Sequence, residues 1–273
     1  RHGDWSDYSN TDRLATRRSS RLAPPDIPLT IVRDFEAEFP IIPATADQPL
    51  QVGIPGYLDM ALFIFGPFGV LRHGRTFRRA LGEQIRQVHA RAGSRVVFQL
   101  EVPAALIAVA STPRPARRYL ALALAKVVTA QVKDAPEGSR FGVHLCLGDL
   151  GHRALRQLRD TGPLVELGNA IQKVWPEGRR LDFIHLPLSG GEQPPPVDAD
   201  FYRALESLRQ REGMAIVAGI AHEDQPLATQ RDVRHLVEGA LGCRVDIATS
   251  CGLGRRSPAQ AKAAVERMRH LRH

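Results

Sequence analysis

The chain has 273 residues, 43% hydrophobic and 24% charged, a globular composition with enough apolar content for a large core. Its net charge is +8, but most of its basic residues are arginines scattered through helix-like stretches. There is no lysine run and no basic stripe interleaved with aromatics, so nucleic acid is not the expected partner; attraction of an anionic small molecule is the milder reading.

Three cysteines, Cys146, Cys243 and Cys251, are too few and odd in number for a disulfide framework. They suit a reducing compartment, and a cytoplasmic location is expected. The longest apolar helical run, Tyr119–Ala130, carries Lys126 and is too short to span a bilayer, so no membrane partner is expected.

Residues 1–27 read as a polar, irregular surface excursion. Residues 28–43 have β-like apolar content broken by Pro40 and Pro43, which fits a hairpin or short edge strand. A short strand at 51–54 turns at Pro55-Gly56 into an apolar helix ending near Phe65. A helix over 74–92 follows, with Phe77, Leu81, Ile85 and Val88 on one face.

From there strands and helices alternate. Strands are expected at 95–101, 140–147, 181–188, 214–220 and 244–249. Helices are expected at 114–133, 150–174, 198–212 with Asp198 as N-cap, 227–241, and from Ser257-Pro258 onward. This alternation means parallel strands with helices outside. It predicts a TIM (β/α)8 barrel whose first strand lies upstream of Arg1 or is absent from the chain. The whole of 1–273 is read as one barrel domain, with 1–45 an excursion at the mouth and 46–273 the barrel core.

Barrel sites form where strands end. Those positions hold Glu101; His144 and Cys146; His185 and Ser189; His222 and Asp224; and Cys251. In a strand, residues two apart face the same side, so His144 and Cys146 project together. With Cys251 from another strand end they make three corners of a tetrahedral zinc site with one position open. The competing readings are a small core cysteine and a hydrogen-bonded structural histidine. Each residue alone is weak; their recurrence at successive strand ends favours a ring of site residues.

The series resembles the C-terminal catalytic barrel of cobalamin-independent methionine synthase, within the uroporphyrinogen decarboxylase/methionine synthase-like barrel superfamily. Gln99-Leu100-Glu101-Val102-Pro103-Ala104 looks like that family's Gln-Ile-Asp-Glu-Pro-Ala strand end, and His144-Leu145-Cys146 like its zinc strand. Gly219-Ile220-Ala221-His222 looks like its catalytic-histidine strand, and Thr249-Ser250-Cys251-Gly252-Leu253 like its zinc-cysteine segment. The resemblance implies a zinc-dependent methyl- or alkyltransferase acting on a small thiol. His144, Cys146 and Cys251 would be the ligands, and His222 would assist departure of the methyl donor by proton transfer. Glu101 would hold a substrate ammonium, with Ser189 and Asp224 also facing substrate. A tetrahydrofolate-type donor and a homodimer are allowed by the same resemblance.

The departures are specific. Pro187 stands where the family has a glutamate ligand, and His185, on the same strand face, is the expected replacement. The family's folate-site acid falls on Ile107, and its tryptophan near Phe63. Two other classes stay open: a metal-free decarboxylase- or lyase-like enzyme on an anionic substrate, and a barrel without catalysis.

Overall fold

The computed structural model describes residues 22–41, 48–148 and 153–272. Six strands form one parallel sheet in sequence order: β1 (Leu50–Pro55), β2 (Val96–Glu101), β3 (Arg140–His144), β4 (Arg180–Pro187), β5 (Ala215–Ala221) and β6 (Asp246–Thr249). The sheet curves 183° round an axis and stays open, its edges 13 Å apart. That gap matches about two further strands at the roughly 4.8 Å spacing of a sheet. The described residues therefore build an open half-barrel, part of the eightfold architecture that the alternation predicts.

Alternation along each strand divides the residues into two sets. Phe98, Leu100, Phe141, Val143, Ile184, Leu186, Ile216 and Ile220 are buried at 1% exposure or less and belong to the main core under the helices. Phe141 sits at its centre, 5.5 Å from the Phe98 ring and edge-on to Trp175 at 6.1 Å. Burying each such aromatic is worth about 1.5–3 kcal/mol. The opposite set, Gln99, Glu101, His144, Phe183 and His185, faces the concave interior.

The covering helices include α1 (Ile31–Glu38), α2 (Tyr57–Phe65), α3 (Pro67–Ala92), α4 (Pro103–Ser111), α5 (Arg114–Lys133), α6 (Gly162–Lys173), α7 (Ala199–Tyr202), α8 (Leu227–Leu241) and α9 (Pro258–Leu271). No helix among the described residues is long and apolar enough to cross a membrane.

Several elements differ from expectation, each for a local reason. The segment expected as a hairpin at 28–43 contains helix α1 instead, and residues 42–43 lie outside the described residues. Phe35 is its buried residue and packs on Phe39 one turn later, 4.6 Å away, so the spacing is helical and Pro40 follows the helix. The excursion at 1–27 lies outside the described residues up to position 21.

Of the expected 150–174 helix, residues 150–152 lie outside the described residues, and from 153 onward the helix begins only at Gly162-Pro163. Proline lacks an N–H and clashes with the preceding turn, so it opens a helix rather than continuing one. The 198–212 helix is short: Asp198 caps it by accepting from Asp200 N at 3.0 Å, but after α7 and a 3-10 turn (Arg203–Ser207) the chain leaves helical geometry. There α6 intercepts the backbone. Asn169 bonds Ser207 O and Arg209 N, and Gln172 bonds Arg209 O. Helix α4 belongs to no expected element; its free N-terminus is capped from α2, where Asp59 Oδ1 accepts from Ala104 N at 2.6 Å.

Candidate metal centre

Parallel register aligns the site. Pro55, Glu101, His144, His185 and Val217 are successive partners across β1 to β5, forming one cross-sheet row that lies at the carboxyl ends of β1 to β3 and crosses β4 and β5 further from theirs. On the concave side, Gln51 donates to Gln99 at 2.9 Å, and Gln99 donates to Glu101 at 2.6 Å. Glu101 Oε2 stands 3.8 Å from His144 Nε2. These side chains, with His185, Thr249 and Cys251, border a cavity of about 400 Å3.

Past His144 the chain leaves the sheet, and Cys146 follows with its N–H on the His144 carbonyl at 2.9 Å. Gly148 closes the turn at φ +70° and donates its N–H to Cys146 Sγ at 3.3 Å. The positive φ is what favours glycine here, since the Ile107 and Leu155 methyls that a Cβ would meet at 2.8 Å can move aside.

Cys251 arrives from the end of β6. Ser250 donates to Gly219 O at 2.9 Å, and Gly219 lets that backbone lie close, since a Cβ there would sit 2.7 Å from Ser250 Cα. The result is a pair of buried free thiols with sulfurs 4.0 Å apart. Donor atoms of His144, Cys146 and Cys251 all lie within 4.8 Å of one another. The hydrogen bond with Cys146, and next the nearby His144, hold the Cys251 thiol well below its ordinary value despite burial. Arg255 Nη1 adds a cation 3.9 Å from the Cys251 sulfur.

His185 stacks on His144, ring centroids 4.3 Å apart, but stands outside this donor group. Its Nε2 is 3.0 Å from the Thr249 carbonyl and must carry the ring proton to bond it. Burial first, and the neighbouring His144 next, push its pKa well down, so the ring is neutral. Ser189 bonds Ser250 at 2.8 Å, next to Cys251.

His222 and Asp224 do not border the cavity. His222 Nδ1 accepts from Asp224 N at 3.2 Å, leaving the proton on Nε2, and burial holds the ring below its ordinary pKa. His222, Glu223 and Asp224 form a second group able to hold a metal. Glu223, however, already has both oxygens on Arg256 Nε at 2.8 and 2.9 Å in a buried ion pair. That carboxylate is compensated, and the group fits a metal poorly.

The first group could hold a metal ion, and its sulfur spacing can be set beside that of a zinc site. Tetrahedral coordination with Zn–S of about 2.3 Å separates two sulfurs by about 3.8 Å. The observed 4.0 Å is close to that and about twice a disulfide bond length. Sequence pattern did not reveal Thr249, whose carbonyl orients His185, or the Gln51–Gln99 chain leading to Glu101; both depend on pairing across strands.

No protein-family profile matches the chain, and no curated protein matches it. Among solved structures, a Listeria monocytogenes protein provisionally described as a vitamin-B12 independent methionine synthase shares the fold, with a TM-score of 0.53 at 15% identity, over 88% of this chain and 68% of that one. At that identity the likeness shows a common barrel fold.

Proposed function

We propose that this chain is a zinc-dependent methyl- or alkyltransferase acting on a small thiol. The observation that supports it most is the convergence of His144, Cys146 and Cys251 within 4.8 Å, at the strand ends of a half-barrel. A zinc ion held by these three residues would supply the Lewis acidity that keeps a thiol deprotonated at neutral pH.

The protein groups divide the remaining work. Glu101, in the same cross-sheet row as His144, offers a carboxylate to a substrate ammonium, and Gln99 fixes one of its oxygens. His185 is proposed as a positioning residue in place of the ligand its strand position first suggests, because its Nε2 is committed to Thr249 O. His222 is the proposed proton donor to the departing group, a role it fills as the imidazolium after taking up a proton, since the N–H of a neutral ring is too weak an acid to give one up. Ser189, bonded to Ser250 beside Cys251, is kept as a substrate-binding residue; Asp224, which lies away from the cavity, is kept on the resemblance alone, as is a tetrahydrofolate-type donor.

The test is methyl transfer from such a donor to a small aminothiol by the zinc-loaded chain. Turnover that Cys251→Ser abolishes supports the reading. Transfer unaffected by Cys146→Ala or Cys251→Ala overturns it and selects metal-free chemistry.

A further inference from the structure

The surplus positive charge has a local focus that the candidate metal centre does not use. A cavity of about 550 Å3 opens between the turn joining α4 to α5 and the 153–161 loop. Arg114, Arg117, Arg156 and Arg159 border it, with Asp160 the one carboxylate in its wall. Asp160 is occupied, paired with Arg114 at 2.8 Å and accepting from Gly162 N at 2.9 Å. Arg117 spends one N–H on Thr112 O at 3.3 Å. Among the described residues, no hydrogen bond or ion pair engages the guanidiniums of Arg156 and Arg159. Arg156 and Arg159 thus border one concave space without a carboxylate partner, beside Arg117, which Asp160 and Glu166 attract in part; this surplus of positive charge raises the local concentration of anions.

The frame is fixed. Leu155 N donates to Leu147 O at 3.1 Å, fastening the loop to the segment after β3, and Ala154 N donates to Glu192 at 3.2 Å. Both walls follow the carboxyl ends of β2 and β3, the strands that carry Glu101 and His144.

We infer that this cavity is a binding site for a small multivalent oxyanion of the phosphate class. Guanidinium forks match phosphate oxygens bidentately, and several around one concavity suit a ligand carrying more than one negative charge. The site does not depend on the metal reading.

Isothermal titration of the full chain with inorganic pyrophosphate, at low and constant ionic strength, tests it. One-to-one saturable binding is expected, weakened at least about tenfold in an Arg156→Ala/Arg159→Ala double variant. An Arg75→Ala/Arg79→Ala variant, with equal charge loss on α3, should bind as the unaltered chain does. Absence of saturable binding, or equal weakening in both variants, overturns the site. Citrate or sulfate binding as tightly as pyrophosphate overturns the phosphate assignment.

Discussion

The sulfurs of Cys146 and Cys251 stand 4.0 Å apart although 105 residues separate them in the chain. Two strand ends are built to bring them there, one through the Gly148 turn and the other through the close approach of Ser250 to Gly219. If both are ligands, Cys146→Ser and Cys251→Ser should each lower zinc affinity more than about 100-fold, since even outer partners of a ligand are worth 10–100-fold. Competition with a chromophoric chelator measures this. Cys243→Ser, at the α8–β6 connection, should change nothing.

Gly219→Ala separates geometry from ligand identity. Its Cβ would meet Ser250 Cα at 2.7 Å, a backbone atom that cannot swing away. A loss of about 1–3 kcal/mol in denaturant unfolding is expected, as for other overpacked sites. Zinc affinity should fall with both cysteines still present. Gly53→Ala, with nothing within 4 Å and no positive φ, serves as the neutral comparison.

Asp59 makes stability pH-dependent. Burial is the main cause that raises its carboxyl to about 7, offset in part by the Ala104 N–H and raised further by Glu101. A raised carboxyl binds its proton more tightly folded than unfolded. Its contribution is therefore full below about pH 4 and is lost as pH rises toward 7. The loss is on the order of 4 kcal/mol. Urea unfolding at pH 5 and pH 8 should show that Asp59→Asn removes this part of the decline. An identical decline in both proteins would refute the assignment.

Glu101→Gln should leave zinc content intact and raise KM for an amino-bearing thiol about tenfold or more, consistent with the loss of one charge-assisted contact. A thiol without an amino group should be used equally by both enzymes. A matching loss for both thiols would mean that Glu101 does not recognise the ammonium.

Strand parity made much of the interior legible. Glu101, His144 and His185 lie on one face because alternate residues must, and the outward set is apolar because helices cover it. The sequence could not show how the strands pair. The Thr249 carbonyl that accepts the His185 ring N–H comes from two strands away, so a side chain that parity offers as a ligand is committed elsewhere. Local chemistry at a distance also hid α7's early end, where Asn169 and Gln172 supply the missing hydrogen-bond partners. Reading 150–174 as a single helix spreads Arg156 and Arg159 over a surface. Only the Pro163 start of α6 leaves them in a loop that meets Arg114 and Arg117.

Metal analysis of the chain purified without chelator, with X-ray absorption at the zinc edge, bears most directly on the proposed centre. About one zinc per chain is predicted, with two sulfur ligands near 2.3 Å and one nitrogen near 2.0–2.1 Å. Protein that contains no metal and takes up no zinc when it is offered would contradict the account.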